Sequence, residues 1–283
     1  LGAGSYTVEI TDQWGCSAIL PATVELTNAM TANATVDKTI NCDPINPGGE
    51  ITITVTGGSS NLQYSTVSPV TSTVITNNDG IFTGLTEPGE YVFTITDLDT
   101  SEPCTYEVRQ TLDDKVDPVL EDATIIDVSC AGGSDGSIEA NLDPATALNP
   151  PYQYELIGLS PGAPSRPLQY EPLFENLPAG DYQVRVVSDR ECEDIKTETV
   201  DQPNPLGATA TATDFECSSS NTVNESTIAV TPSGGTPFAG PDPYLYSFEG
   251  NSFTSDATFD VEDDGTVQTI NYIVRDANGC EYP

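Results

Sequence analysis

The chain of 283 residues carries 44 acidic residues against 8 basic ones, no histidine, 23 glycines and 22 prolines. A net charge of -36 argues against electrostatic binding to nucleic acid or to an anionic membrane. Without histidine no Ser-His-Asp or Cys-His arrangement can form, and no apolar run reaches the 18 residues of a helical membrane span.

The elements follow in chain order. Tyr6, Val8 and Ile10 alternate with polar residues, the period-two signature of a half-buried antiparallel strand, and Asp12-Gln-Trp-Gly-Cys16 supplies a hairpin turn. A strand over residues 34–42 is predicted next, then a Gly/Pro loop and a second alternation at Ile51, Ile53 and Val55. Leu62-Gln-Tyr64 reads as a short aromatic strand. Pro88-Gly89 then turns the chain into a strand with Tyr91, Phe93 and Ile95 on one face. A polar turn runs from Asp97 to Cys104, and a closing strand from Cys104 to Leu112. Asp113 to Pro118 is a short, semi-rigid connector.

The same order then returns twice. Residues 123–130, then Ile138, Ala140 and Leu142, then Pro150-Pro-Tyr-Gln-Tyr154, then Tyr182, Val184 and Val186 lead to Cys192, a closing strand to Val200, and a connector from Asp201 to Pro205. Residues 208–217, Ile228 and Val230, Pro243-Tyr-Leu-Tyr246, and Ile270, Tyr272 and Val274 lead to Asp276-Ala-Asn-Gly-Cys280. No segment shows a 3.6-residue period. About seven short strands per unit, separated by turns, specify an all-β chain of tandem immunoglobulin-like antiparallel β-sandwich modules.

The cysteines keep the same beat. Cys16, Cys104, Cys192 and Cys280 are each 88 residues apart, and Cys42, Cys130 and Cys217 step by 88 and 87. The expected division is residues 1–27 as the C-terminal strands of a preceding module, then modules at 28–113, 114–203 and 204–283, the last lacking its final strand. Periodic cysteines in small, Thr-rich modules suggest an oxidising compartment; with no CxxC and no histidine, zinc is a poor alternative.

Two pairings remain open. Within-module bridges Cys42–Cys104, Cys130–Cys192 and Cys217–Cys280 leave Cys16 unpaired; bridges across the connectors, Cys16–Cys42, Cys104–Cys130 and Cys192–Cys217, leave Cys280 unpaired. Chain entropy gives about 4.3 kcal/mol for the longer rings and about 3.5 for the shorter, too close to choose. Successive modules pointing the same way disfavour the short ring. The opposite ends of a sandwich also trouble the long one. The within-module pairing is preferred.

Val128-Ser-Cys-Ala-Gly-Gly-Ser-Asp-Gly-Ser-Ile138, Pro150-Pro-Tyr-Gln-Tyr154, Leu177-Pro-Ala-Gly-Asp-Tyr182 and the ending Asp276-Ala-Asn-Gly-Cys280 together resemble the SprB-type repeat of long cell-surface adhesins in gliding Bacteroidetes. The third unit departs from the pattern, with Gln268 and Ile270 in place of the glycine and the tyrosine. The resemblance implies secretion through a type IX system, transport by the gliding machinery, adhesion to a substratum and an extracellular, cell-surface location.

On this reading the chain is a non-enzymatic structural stalk whose partners are its neighbouring modules. One alternative is an array that itself binds polysaccharide or a partner protein; another is an accessory region of a large extracellular enzyme. Asp113, Asp114 and Asp117 are the preferred candidates for a Ca²⁺ that would stiffen a connector, although calcium needs six to eight converging oxygens and no DxDxDG loop is present. The clusters Asp97, Asp99, Glu102 and Glu262, Asp263, Asp264 read as solvated acidic surface. Tyr152, Tyr154, Tyr244 and Tyr246 are candidates for sugar stacking, with alternation turning one of each pair inward. Trp14 is a candidate contact residue on a turn. Lys38, Lys115 and Lys196 fall at different repeat positions, which argues against isopeptide cross-links.

Overall fold

The computed structural model describes residues 4–24, 30–99, 104–215 and 225–283. They divide into two compact units, Leu1–Val116 with Arg190–Cys192, and Asp117–Asp189 with Glu193–Pro283. Every strand pairing is antiparallel, and no α-helix occurs among the described residues.

The first unit opens with a lone hairpin, β1 (Gly4–Thr11) and β2 (Ser17–Val24), paired in register from Gly4↔Val24 to Thr11↔Ser17. Its apolar residues Val8, Ile10, Ile19 and Leu20 are exposed, because the hairpin forms a two-stranded sheet of its own. The sandwich that follows contains β3 (Thr31–Lys38), β4 (Gly49–Thr56), β5 (Leu62–Val67), β6 (Val74–Asn77), β7 (Ile81–Leu85), β8 (Gly89–Asp97) and β9 (Cys104–Leu112). One sheet has the order β3-β4-β7 and the other β6-β5-β8-β9. Alternation does the expected work here. Ile51, Ile53 and Phe82 face Tyr91, Phe93 and Ile95 in one buried cluster, and the Phe82 and Phe93 rings tilt together at 4.8 Å.

The second unit repeats this plan. Its first sandwich has β10 (Thr124–Ile126), β11 (Gly136–Glu139), β12 (Tyr152–Gly158), β13 (Arg166–Gln169), β14 (Leu173–Leu177), β15 (Gly180–Ser188) and β16 (Glu193–Val200), in sheets β10-β11-β14 and β13-β12-β15-β16. Ile138, Phe174 and Leu177 pack against Leu156, Tyr182, Val184 and Val186. In both sandwiches the fourth strand joins the larger sheet, giving three strands against four.

The start of the second strand is held by glycine for a steric reason. A Cβ on Gly136 would lie 2.6 Å from Val200 Cγ1 and 2.9 Å from the Leu177 carbonyl oxygen. One on Gly49 would lie 2.8 Å from Leu112 Cδ2. The last residue of each closing strand therefore plugs the core over a bare Cα.

The remaining elements are β17 (Gly207–Ala212), β18 (Glu225–Ser233), β19 (Leu245–Phe248), β20 (Thr258–Glu262), β21 (Tyr272–Arg275) and β22 (Glu281–Tyr282), in sheets β17-β18-β20 and β19-β21-β22. Among the described residues their buried cluster is Val230, Tyr246, Phe248 and Val274. The missing tyrosine explains part of this. In the two larger sandwiches the Tyr91 hydroxyl donates to the Glu87 carbonyl at 2.9 Å and the Tyr182 hydroxyl to the Pro178 carbonyl at 2.8 Å. Each bond pins the turn before a nine-residue strand. With Ile270 in that place, β21 begins later, at Tyr272, and has four residues.

The strands predicted to run up to the cysteines stop short of them. β3 ends at Lys38, β10 at Ile126 and β17 at Ala212. After β3 and β10 the intervening residues form loops that present the sulfurs of Cys42 and Cys130.

Candidate functional site

The turns leading to Cys16, Cys104 and Cys280 each open on an aspartate, whose short side chain accepts from amides within its own turn, whereas Ser188 holds that place before Cys192. Asp12 Oδ1 accepts from the amides of Trp14 and Cys16, each at 2.9 Å. Asp276, fully buried, accepts on Oδ1 from Asn278 at 3.0 Å and Cys280 at 2.9 Å, and on Oδ2 from the Thr236 amide at 2.8 Å. Asp97 accepts from the Ser59 hydroxyl at 2.6 Å, the Ser59 amide at 2.8 Å and the Asp99 amide at 3.1 Å. These bonds, the Ser59 hydroxyl foremost, hold the Asp97 carboxyl below the usual carboxylate range.

Two disulfides form, Cys42–Cys192 and Cys130–Cys280, each spanning 150 residues of sequence. The expected within-module bridges Cys42–Cys104 and Cys130–Cys192 are therefore corrected. Cys280, expected to join Cys217, is bonded to Cys130 instead; Cys217 itself lies outside the described residues. Cys104 and Cys16 are exposed free thiols.

The reason is the length of a strand. Cys104 begins β9, opposite Asp97, whereas the Cys42 loop lies at the other end, where Leu112 packs against Gly49. Nine residues at about 3.3 Å each put some 26 Å between those ends, far beyond the ~7 Å that a disulfide can bridge between Cα atoms.

Local contacts dress both clasps. The Cys42 amide donates to the Arg190 carbonyl at 2.8 Å, and Lys115 Nζ lies 3.1 Å from Cys42 Sγ. The Arg190 guanidinium donates to the carbonyl oxygens of Asp113, at 3.2 Å, and Asp114. At the other clasp Asn278 Nδ2 donates to the Ser129 carbonyl at 2.8 Å, and the Val128 amide to the Asp201 carbonyl at 2.9 Å. Ser129 in turn donates to Asp135 through both its amide and its hydroxyl, lowering the Asp135 carboxyl's pKa, the hydroxyl bond being the larger cause. An open cavity of about 470 Å³ adjoins this clasp, lined by residues that include Asp127, Ser129, Asp201, Gln202, Thr236 and Asn278.

The proposed cation ligands Asp113, Asp114 and Asp117 are not brought together. Among the described residues no three carboxylates gather closely enough to hold a metal ion, and the main-chain oxygens of Asp113 and Asp114 serve Arg190. The aromatic candidates divide as alternation requires. Tyr154 and Tyr246 are buried, and burial raises both phenol pKa values. Tyr152 accepts from the Asn149 amide, and Tyr244 donates to the Gly234 carbonyl. Trp14 is 79% exposed. Arg190, Asn278 and Ser129 were not singled out from sequence. The available signal was position, since Arg190 and Asn278 each stand two residues before a hairpin cysteine.

These features define a class, a tandem array of small antiparallel β-sandwiches stapled by staggered disulfides. Within it, residues 123–161 match the family described as the SprB repeat. No curated protein matches the sequence. Several solved structures are similar. The three N-terminal domains of the bacteriophage RB49 highly immunogenic outer capsid protein share 15% identity at a TM-score of 0.40, over 89% of this chain and 85% of that one. Sidekick-1 immunoglobulin domains 1–5 share 12% identity at 0.30, over 89% of this chain and 56% of that one. Chicken CNTN1 FN1–FN3 domains share 12% at 0.25, over 89% and 94%.

Proposed function

We propose that this chain is a stretch of the stalk of a long, repetitive, secreted cell-surface adhesin, and that its task is reach under tension. The observation that carries the reading is the stagger of the disulfides. Each joins cysteines 150 residues apart, which is the separation of 62 within one repeat plus a full period of 88. A bond of that kind clasps one repeat to the next, and the two together keep residues 43–129 and 193–279 out of the path of force. Module boundaries near 28–113, 114–203 and 204–283 suit this role. The acidic surface opposes self-association of neighbouring strings, within a screening length of about 8 Å at physiological salt. The absence of histidine, together with the tiling of the chain by small sandwiches, supports a non-enzymatic role.

The SprB-type resemblance supports the finer reading, that export is by type IX secretion and movement by the gliding machinery. The test is to remove whole repeats in frame from the parent protein in a gliding cell. Adhesion that persists while the distance of capture shortens with each deletion supports a stalk. Loss of adhesion to a polysaccharide-coated surface, together with saturable binding of that polysaccharide by the purified chain, would overturn it in favour of a binding array. Trp14, an aromatic exposed on a hairpin turn, favours this second reading.

A further inference from the structure

Arg190 and Asn278 occupy the same place in successive repeats, two residues before Cys192 and Cys280. Asp113 and Asp201 are likewise equivalent. Each follows the last residue of a closing strand, Leu112 paired with Gly89 and Val200 paired with Gly180. Asp114 therefore corresponds to Gln202. In the first clasp the long Arg190 side chain reaches the connector and donates to the carbonyls of Asp113 and Asp114. In the second the short Asn278 amide turns instead to Ser129 O at 2.8 Å and Thr236 Oγ1 at 3.2 Å. Beside the equivalent connector residues Asp201 and Gln202 the cavity stays open, at about 470 Å³. That is within the ~300–1,000 Å³ of ordinary small-ligand clefts.

We infer that this cavity is a binding site for a guanidinium cation supplied from outside the chain, which takes the position that Arg190 fills in the first clasp. Three observations converge on that chemistry. The wall offers the carboxylates of Asp127 and Asp201, with Asp127 Oδ1 already held in place by the Asp201 amide at 2.9 Å. The internal precedent is an arginine whose Nη1 donates to two main-chain carbonyls, which leaves its other guanidinium N–H groups in the same plane for flanking carboxylates, where an ammonium carries only three donors on one atom. A divalent ion is disfavoured, because no three carboxylates among the described residues converge. The carbonyl of Asp201 accepts from Val128, and a carbonyl oxygen retains a second lone pair for an incoming N–H.

The test uses the oxidised 283-residue chain, with amide chemical shifts of Gly132, Gln202 and Asn278 followed during titration. The probes are Nα-acetyl-arginine amide, free L-arginine, Nα-acetyl-lysine amide and calcium chloride. Saturable shifts are expected with the blocked arginine, at an affinity at least about tenfold above that of blocked lysine. Preference for the blocked amide over free arginine assigns the natural source to a polypeptide side chain, whereas equal binding assigns it to the small molecule.

Asn278→Arg should fill the cavity from within and abolish the shifts, and Asp201→Asn should weaken binding. Arg190→Asn should open the first clasp and raise the stoichiometry from one to two. The circular dichroism melt of each variant checks that it folds. Absence of saturable binding, equal affinity for blocked lysine, or undiminished binding by both Asn278→Arg and Asp201→Asn would overturn the inference.

Discussion

When the oxidised chain is pulled by its two ends, tension follows the shortest covalent path and not the sequence. That path runs from residue 1 to Cys42, crosses to Cys192, returns to Cys130, crosses to Cys280 and leaves. It contains about 106 peptide steps, against about 282 in the reduced chain; at ~3.4 Å per residue full extension is about 360 Å oxidised and about 960 Å reduced. Because the two rings overlap between Cys130 and Cys192, opening either one alone lengthens the path by only about 26 steps, roughly 90 Å. Opening both releases about 600 Å. Force spectroscopy on the chain held by terminal handles, with and without reductant, reads these lengths directly. Cys42→Ser is expected to add about 90 Å, and Cys42→Ser with Cys130→Ser to match the reduced chain, while Cys104→Ser adds nothing because its thiol is free. Under the within-module pairing Cys104→Ser would instead release some 200 Å. That gain, or a contour unaffected by reductant, refutes the staggered clasp.

Three further outcomes follow from the packing. Tyr182→Phe removes the hydroxyl that donates to Pro178 O from a fully buried ring and should cost the second sandwich about 1 kcal/mol or slightly more in denaturant titration; no loss would deny that bond its role. Gly136→Ala drives a Cβ to 2.6 Å from Val200 and 2.9 Å from a carbonyl, an overpacking worth about 1–3 kcal/mol, whereas Gly132→Ala, with open space around its Cβ, bears only the cost of its positive φ. The third outcome concerns pH. The folded carboxyls of Asp97 and Asp135 titrate below their unfolded values, so their contribution is present above about pH 4 and is lost as pH falls through the folded values. Burial raises the phenols of Tyr91 and Tyr182, so their contribution holds below about pH 10 and is lost above it. Thermal melts should therefore fall at both ends of the pH range, and Asp97→Asn should flatten the acid limb; an unchanged acid limb in that variant would remove Asp97 from the account.

Much of the fold was legible because it is set by short-range alternation. Tyr91, Phe93 and Ile95, like Tyr182, Val184 and Val186, lie on one face of a strand whatever the partner sheet, and all six are buried. The same pattern at Val8 and Ile10 stays exposed, since alternation marks which side a residue faces and not what covers it. Tyr154 and Tyr246 turned inward for the same local reason. The site was less legible. Asp113, Asp114 and Asp117 are close in sequence, yet nearness along a connector does not bring side chains to one point, and the three do not form a group that could hold a metal ion.

The amino-acid order by itself determined the strands, the turns and the repeat, because periodicity, glycine placement and cysteine spacing act over a few residues or recur unchanged. Which sulfurs meet was decided only in three dimensions. Separations of 26, 62 and 150 residues are equally compatible with the 88-residue beat, and chain entropy barely separates the first two. The discriminating quantity is the length of a nine-residue strand, which carries Cys104 away from Cys42 at the opposite end of its own sandwich and leaves Cys42 to bond with Cys192.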